Sequence, residues 1–415
     1  MTATTSNRVW GLLLLAVPFI VVVILLRGLQ VHLDTFHSAD ETYCHYPTIL
    51  AFSENPDFFQ TSRYESATTP LFHYFFAQVG RFVGFELWKL RALNVLLSYL
   101  VILLFCGLLE QWSIIASFRP LPYAMLSLLS PYFFGNSFIV TTDSLALLLS
   151  LATLLSLSHF LQHSSVLAPV VLAISVCLAT LTRQTSASLA LIAGTGIWVS
   201  ESRATTKWVG SALLILALLP LATFVLRWGG FVPPHYQEWH VQTSLVPFRP
   251  FLFALALVGL YSTFFEYRRY LTILTDLRER STLLISAIVG FALLLLFPLA
   301  EIDDNGYLWT IASWFPPIGG CSVLFWILVP LGLYTITSQC RENRRNFYIW
   351  FAVFCLVLPF VLSKVIHQKY LDPLVLVAWS VAHAGNPLWD RRFLYGTVPL
   401  YFVFILYFVL ALTRS

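Results

Sequence analysis

The sequence predicts an all-helical protein that crosses a membrane many times. Of its 415 residues, 58% are hydrophobic and 11% are charged, whereas a soluble globular chain carries roughly 25% charged residues. So few charged side chains cannot cover the surface of a chain of this length in water, and most of that surface is therefore expected to face lipid. At roughly 20 residues per span, the apolar segments suffice for about thirteen membrane-spanning helices.

The apolar segments are separated by short polar loops. Several are shorter than an ideal span, which is typical of tilted or partly buried helices around a cavity. We interpret residues 10–26 as a span and not as a signal peptide, because the segment is long for a signal sequence and Arg27 follows it. The predicted segments are 10–30, 87–108, 120–138, 144–161, 166–181, 186–200, 208–227, 249–266, 281–300, 317–338, 347–363, 370–384 and 393–412.

Charged residues in alternate loops predict the orientation of the chain. By the positive-inside rule the basic loops are cytoplasmic, which places the N-terminus inside and the first long loop outside. The basic loops contain Arg119, Arg203, Lys207, Arg268, Arg269, Arg278, Arg280, Arg341, Arg344, Arg345, Arg391 and Arg392. The opposite loops contain Asp34, Asp40, Glu41, Glu54, Asp57, Glu65, Glu301, Asp303 and Asp304, with Arg63 among them.

We treat residues 1–415 as a single integral-membrane domain in which residues 31–86 form the first outer loop. This loop ends in an aromatic stretch, 73–85, that is too short and too often interrupted by polar residues to span a bilayer. It predicts a helix lying in the membrane interface, with Phe75, Phe76 and Phe82 facing lipid.

Several functional classes are disfavoured. No loop is long enough for a soluble nucleotide-binding domain of ~100 residues, and the motifs G-x-x-x-x-G-K-[ST], H-E-x-x-H and G-x-S-x-G do not occur, nor does G-x-G-x-x-G followed by a helix. The net charge of +4 is spread over several loops, so nucleic-acid binding is not expected. Most of the 6 cysteines lie in apolar segments, so their positions indicate neither a set of disulfides nor a zinc site. The sequence does not firmly predict a cofactor, and a divalent metal stays open although no pattern supports one.

Carboxylates near the outer surface are the candidates for catalysis. Asp40 and Glu41 follow the first span, where a carboxylate can act as a general base toward a hydroxyl acceptor at the bilayer edge. The alternative is a solvated acidic loop. Asp143 lies at the outer end of a span, where it is either a helix cap or a second active-site carboxylate.

Cations on the outer side contradict the positive-inside rule and therefore suggest anion binding. Arg183 lies between two apolar segments, where its forked guanidinium suits a lipid-linked phosphate; the alternative is a structural pair with Asp143. Lys364, His367 and Lys369 form a second cluster. That cluster suits a phosphate headgroup or side chains that snorkel to lipid phosphates.

Aromatic and imidazole side chains surround the outer turn at residues 228–235. Trp228, His235 and, beyond the turn, His240 offer a stacking surface for a sugar. The alternative is that they belong to the aromatic belt at the membrane interface.

Taken in order, these features resemble the GT-C glycosyltransferases, membrane enzymes that use polyprenyl-phosphate sugars. Within that superfamily the chain is similar to the dolichyl-phosphate-glucose-dependent alpha-1,2-glucosyltransferases, which add the last glucose to the N-glycan precursor. The similar motifs are Asp40-Glu41, Thr68-Thr69-Pro70 with Tyr74, Leu90-Arg91 with Asn94, Pro131 and Phe133-Phe134 with Thr142-Asp143, Arg183-Gln184-Thr185, Gly229-Gly230 with Val232, and Lys369-Tyr370 with Pro373. The chain departs from that family at Leu71-Phe72, where Pro-Gly is usual, and at Pro233-Pro234, which replaces a Gly-Asp stretch.

The resemblance implies an inverting hexosyltransferase in which Asp40 deprotonates the acceptor hydroxyl and Glu41 orients Asp40 or binds the acceptor. The implied donor is a polyprenyl- or dolichyl-phosphate hexose, with glucose and an alpha-1,2 linkage expected. The implied acceptor is a lipid-linked oligosaccharide or another glycan. The residues expected to hold the donor phosphate are Arg183, Lys364, His367 and Lys369, and those expected near the acceptor or sugar are Asp143, Thr69, Tyr74, Trp228, His235 and His240.

The resemblance also implies a location in a bacterial inner membrane or in the endoplasmic reticulum membrane, with the active site on the outer or lumenal side. Three other functional hypotheses stay open. A mannosyltransferase or a lipid A sugar transferase shares the same plan. A transporter or flippase is expected to carry ionisable residues deep in its spans, whereas the unusual charges here lie at the outer ends. A glycan polymerase or ligase tends to have its large outer loop late in the chain, whereas the long loop here, residues 31–86, comes early.

Overall fold

The described part of the chain folds mostly into helices in the computed structural model, which confirms the predicted fold class. The structure describes residues 3–29, 39–59, 64–113, 120–163, 167–241, 248–273, 275–299, 306–364, 366–384 and 395–406. The described residues form two compact units. Unit 1 contains those before Val241 except Ser113, and unit 2 contains Ser113 and those from Val241 onward. The charged residues Asp34, Arg63, Arg119, Glu301, Asp303, Asp304, Arg391 and Arg392 lie outside the described residues.

Unit 1 contains the first helices of the chain. Helix α1 has a proline, Pro18, in its interior, and a π-helical turn, Asp40–His45, precedes α2. The helices of unit 1 are α1 (Ala3–Leu29), α2 (Tyr46–Glu54), α3 (Leu71–Val83), α4 (Leu87–Trp112), α5 (Leu121–Leu129), α6 (Pro131–Phe134), α7 (Asp143–Gln162), α8 (Ala168–Thr182), α9 (Ser188–Val199), α10 (Ala204–Trp228) and α11 (Pro234–His240).

Unit 2 adds eight helices and one short hairpin to the described residues. Its helices are α12 (Arg249–Phe265), α13 (Tyr267–Thr272), α14 (Leu277–Leu296), α15 (Tyr307–Ala312), α16 (Val323–Glu342), α17 (Arg344–Val357), α18 (Gln368–His383) and α19 (Tyr395–Leu406). The hairpin consists of β1 (Pro317–Ile318) and β2 (Cys321–Ser322), which pair antiparallel.

Six of the described helices are long and apolar enough to cross a membrane: α4, α7, α10, α14, α16, and α17 with the 3₁₀ turn that continues it to Leu362. Apolar helices shorter than a full span occur within α1 and at α8, α12 and α19. These helices match most of the predicted segments in position, but the expected number of about thirteen spans is not confirmed.

The segment 120–138, predicted as one span, is broken in the structure. Helix α5 ends at Leu129, Ser130 is extended, and its hydroxyl accepts the backbone N–H of Phe133 to start α6. Pro131 has no N–H to continue the ladder of α5, which explains the break. Hydropathy alone does not reveal such a stop, because the residues on both sides are apolar.

The predicted interfacial helix is present as α3, a short helix separate from the spans. One of its faces is buried, with Phe72 and Phe76 in a largely aromatic core that also includes residues of α2 and α10. The expectation that Phe76 faces lipid is therefore wrong, whereas Phe82 is 89% exposed and Phe75 is half-buried. The position of α3 in the membrane interface stays a prediction.

Two glycines allow α12 and α16 of unit 2 to pack closely. A Cβ on Gly259 would overlap the backbone carbonyl of Leu328, and a Cβ on Gly332 would overlap that of Leu255. Small residues at a helix crossing let the two backbones approach, which is a common way of packing membrane helices.

Buried polar side chains also join the helices of unit 2. The Asp372 carboxylate of α18 accepts hydrogen bonds from Tyr261 (2.8 Å) and Tyr307 (2.7 Å), which lie on α12 and α15. A second group of buried side chains lies at the other end of α18, where Glu266 is 3.0 Å from His383 and accepts a hydrogen bond from Gln339 (2.5 Å).

Candidate functional site

The predicted acidic pair lies on the π-helical turn, and its two carboxylates have different surroundings. Glu41 is 1% exposed, and its two carboxylate oxygens accept hydrogen bonds from Arg91 at 2.5 to 3.2 Å. The backbone N–H of Val140 donates to the same carboxylate (2.7 Å). Asp40, the preceding residue, is only half-buried. Glu41 is thus held inside the protein, while Asp40 keeps access to the surface. Single-turn π-helical insertions are frequent at functional sites.

Arg91, which was not predicted as a site residue, belongs to a polar patch on α4. One turn further along, the Asn94 side chain donates to the carbonyls of Asn136, Ser137 and Ile139 at 2.8 to 3.1 Å. Arg91 and Asn94 therefore fix both the acidic pair and the segment that leads to Asp143. Their spacing of three residues, which places them on one helix face, was the available signal in the sequence.

Asp143 begins α7 and forms an ion pair with Arg183 at the end of α8. Asp143 Oδ1 and Arg183 Nη1 are 2.5 Å apart, and the two side chains are 14% and 16% exposed. This confirms the pair that the sequence offered as the structural alternative. Anion binding by Arg183 stays a prediction.

Two sequence motifs that are far apart in the chain meet beside this ion pair. The Thr69 hydroxyl, fully buried, donates to the carbonyl of Thr180 (2.7 Å). The Gln184 side chain donates to the carbonyl of Ala67 (2.7 Å). Thr69 therefore attaches the segment before α3 to the end of α8 next to Arg183. A contact between Thr69 and an acceptor stays a prediction.

Two histidines and a tyrosine form a buried hydrogen-bonded chain that begins at the π-helical turn. His45 Nδ1 and His73 Nε2 are 2.9 Å apart, and His73 Nδ1 is 2.9 Å from the Tyr64 hydroxyl. Burial lowers the pKa of His73 well below its ordinary value, and His45 lowers it further. Burial also raises the pKa of Tyr64. His73 therefore joins the turn, α3 and the loop before α3 as a neutral group.

Because His73 is buried as a neutral group, we expect unit 1 to be less stable at acidic pH. The unfolded histidine takes up a proton near pH 6.5, whereas buried His73 stays neutral to lower pH, so acid stabilises the unfolded state. We expect the free energy of unfolding to fall as the pH drops below 6.5, by at most about 1.4 kcal/mol per pH unit. Unfolding measured between pH 7.5 and 5.5 should show this slope in the wild type but not in His73→Phe. A control variant, His163→Phe at an exposed site, should keep it. An unchanged slope in His73→Phe would contradict the assignment.

Tyr236, which was not predicted as a site residue, lies near the acidic pair. Burial raises its pKa, and the nearby Cys44 and the charges of Glu65 and Asp40 raise it further. The turn before α11 places it: Gly229 adopts a positive φ of 68° at the end of α10, and the N–H of Gly230 donates to the carbonyl of Val225 (3.1 Å). The glycine pair in the sequence was the signal for this turn.

The remaining predicted sugar-binding residues of unit 1 differ in exposure. Trp228 is 3% exposed and stacks on Tyr64, with ring centroids 6.2 Å apart. Tyr74 packs edge-on against Phe52 within the same aromatic core. These contacts favour packing roles, and a sugar contact for either residue stays a prediction.

His235 is exposed, and His240 is half-buried. Both rings contact Tyr236 on α11, at centroid distances of 5.3 and 6.0 Å. The two predicted imidazoles therefore share the short helix that carries Tyr236, and their role in sugar binding stays a prediction.

The predicted cationic cluster at residues 364–369 belongs to unit 2. Lys364 is exposed, whereas Lys369 is buried with its ammonium 5.3 Å from the ring centroid of Tyr370. His367 packs edge-on against the same ring at 5.4 Å. Phosphate binding by these three residues stays a prediction.

Among the described residues, no group of three or more His, Cys, Asp or Glu side chains is arranged to hold a metal ion. The 6 cysteines, all within the described ranges, form no disulfide with one another.

No protein-family model matches the sequence, and no curated protein matches it. Among solved structures, the chain is similar to ArnT from Cupriavidus metallidurans in the apo state, with a TM-score of 0.41 and 15% sequence identity. The similarity covers 94% of this chain and 78% of that chain. The identity and the TM-score are too low for this similarity to indicate a shared activity.

Proposed function

We propose that the protein is a membrane glycosyltransferase of the GT-C type that transfers a hexose from a polyprenyl-phosphate donor to a hydroxyl of a glycan or lipid-linked oligosaccharide. The observation that carries this proposal is the division of roles within the acidic pair. Glu41 is fixed by Arg91 and by the backbone of Val140, and Asp40 beside it stays half-buried. A carboxylate held on a fixed support but open to the surface suits a general base.

The convergence of distant motifs in unit 1 supports the same proposal. Glu41 joins the first outer loop to the segment before α7, and Thr69 joins that loop to the end of α8. Asp143 and Arg183 close the arrangement with an ion pair. The Asp40–Glu41 pair and the Asp143–Arg183 pair therefore lie on segments that these hydrogen bonds join.

In the proposed mechanism, the Asp40 carboxylate accepts the proton of the acceptor hydroxyl. The acceptor oxygen then attacks the anomeric carbon of the donor, the bond from that carbon to the phosphate oxygen breaks, and the configuration inverts. The lipid monophosphate leaves with the bonding electron pair. Glu41 does not touch the reacting atoms in this mechanism, because Arg91 and Val140 occupy its carboxylate; it positions Asp40.

Arg183 is the proposed ligand of the donor phosphate in unit 1, and Asp143 orients it. A guanidinium suits a phosphate because its N–H groups form a planar fork. The ion pair places Arg183 Nη1 2.5 Å from Asp143 Oδ1, so the position of the guanidinium is set before a donor binds.

Loss of the Arg183 guanidinium is expected to weaken donor binding. In Arg183→Gln, KM for the donor should rise about tenfold or more, since a hydrogen bond to a charged group contributes ~1.5–3 kcal/mol. Arg183→Lys should restore only part of the donor affinity, because lysine restores the positive charge but not the planar fork of N–H groups. Arg227→Gln is the matched control, since Arg227 is an exposed arginine of α10 in the same unit. If Arg183→Gln lowers stability but leaves KM unchanged, Arg183 forms only a structural pair.

Membranes that contain the protein test the proposed donor. The experiment compares labelled polyprenyl-phosphate glucose with polyprenyl-phosphate mannose, using membranes without the protein as the control. We expect glucose to be transferred to a glycan acceptor in an alpha-1,2 linkage. Consumption of mannose alone would keep the GT-C proposal and change the sugar. Consumption of neither donor by a folded protein, with several acceptor extracts, would overturn the proposal.

A further inference from the structure

Unit 2 carries an apolar projection between two helices that are long enough to span a membrane. Residues 313–320, here called the apolar finger, have the sequence Ser-Trp-Phe-Pro-Pro-Ile-Gly-Gly and contain no charged side chain. All eight are exposed. Trp314 is 49% exposed, Phe315 41% and Ile318 59%. Helix α14 ends before the finger and α16 begins just after it.

The finger has a fixed backbone conformation. Pro317 pairs with Ser322 and Ile318 with Cys321, and Gly319 and Gly320 make the turn with φ of 59° and 76°. Two consecutive residues with positive φ are typical of the type I′ hairpin turn. The indole of Trp326 donates to the carbonyl of Ile318 (3.0 Å).

The base of the finger is also tied to its surroundings. The Ser322 hydroxyl donates to the carbonyl of Ala312 (2.7 Å), at the end of α15. The N–H groups of Trp314 and Phe315 donate to Ile311 and Ala312 of the same helix (3.1 Å each). Its apolar side chains are therefore exposed on a backbone that these hydrogen bonds hold in place.

The finger continues an exposed apolar surface at the ends of the neighbouring helices. A Cβ on Gly320 would lie 3.8 Å from Pro298, just beyond α14. Leu295 and Leu296 at the end of that helix are 68% and 70% exposed, and Ile327 near the start of α16 is 53% exposed. Both helices are long and apolar enough to span a membrane, so these side chains are in the position of lipid-facing residues.

We propose that the apolar finger inserts into the bilayer at the boundary between headgroups and acyl chains. Its composition fits this occupant, because Trp is enriched at membrane–water interfaces and uncharged apolar side chains bind there by burial of their surface. Because the finger has no charge, its insertion does not depend on anionic lipid. This proposal is independent of the proposed glycosyltransferase activity.

An environment-sensitive dansyl amino acid, placed at position 318 or at position 315 of the full chain, tests the proposal. Each variant is reconstituted in phosphatidylcholine vesicles with or without anionic phosphatidylglycerol. The matched control carries the probe at position 201, where Glu201 is exposed in a polar turn between α9 and α10. Thermal unfolding of each variant checks that the fold is kept, and the use of two finger positions allows for one that disturbs the hairpin.

We expect blue-shifted emission at 315 and 318, strong quenching by lipids brominated near the headgroup, weak quenching by aqueous acrylamide, and the same result in both vesicle types. The probe at 201 should show the opposite pattern. Emission and acrylamide quenching like those at 201 would overturn the proposal by placing the finger in water. Protection from both quenchers would also overturn it, because protein and not lipid would then cover the finger.

Discussion

Asp40→Asn is expected to lower the rate of sugar transfer about 100-fold or more without loss of folded protein. The amide has nearly the same shape as the carboxylate but cannot accept the proton of the acceptor hydroxyl. Since Asp40 is only half-buried and Asn is nearly isosteric with Asp, the substitution is expected to keep the fold of the π-helical turn. The measurement is kcat with saturating donor and acceptor, so that a change in binding does not enter the comparison.

Asp57→Asn is the matched control, because Asp57 is exposed just after α2 and accepts only a local hydrogen bond from Phe59 in the described structure (3.0 Å). It should transfer sugar at the rate of the wild type. If transfer survives in Asp40→Asn, the general base lies elsewhere. Glu41→Gln and Asp143→Asn would then identify which of the two remaining carboxylates takes the proton.

Removal of Arg91 is expected to destabilise unit 1 by about 3–5 kcal/mol, because Arg91→Met leaves the buried Glu41 carboxylate without its cation. Glu41 is 1% exposed and the Arg91 side chain 12%, so solvent screens their interaction only weakly. The double variant Arg91→Met with Glu41→Gln should recover part of the loss, since the neutral amide can still accept the N–H of Val140. Unfolding in mixed micelles measures the three free energies.

Lys89→Met is the control for this experiment. It breaks an ion pair two residues away on the same helix, between Lys89 and Glu86 (2.9 Å), in which Glu86 is exposed. Surface pairs of this kind contribute little to stability, so the unfolding midpoint should not change. If the double variant is no more stable than Arg91→Met alone, the charge of Glu41 is not the cause of the destabilisation.

Hydropathy predicted most of the helices because the apolar length of a segment directly reports a buried or lipid-facing helix. It did not predict the break at Ser130 and Pro131 or the hairpin before α16. Both interruptions depend on backbone chemistry, a missing N–H in one case and a Gly-Gly turn in the other. An average over an apolar window does not contain that information.

The candidate site was predicted in part. The sequence indicated Asp40, Glu41, Asp143 and Arg183 individually, and it offered the pair of Asp143 with Arg183 that the structure contains. The partner of Glu41 was missed, since Arg91 lies 50 residues further along the chain and no periodicity links the two. Tyr236 was missed for the same reason. A tyrosine in an outer loop suggests an interfacial residue until the fold brings it near a carboxylate.

The fate of the donor lipid is the most direct test of the central claim, which is that this protein breaks the bond between a sugar and a lipid phosphate. Purified protein in vesicles would receive polyprenyl-phosphate glucose and a glycan acceptor, and the lipid would be recovered and its phosphate analysed. We predict one lipid monophosphate released for each hexose transferred, and none without acceptor or in Asp40→Asn. Donor that stays intact but moves between the two leaflets would contradict the claim and indicate a flippase.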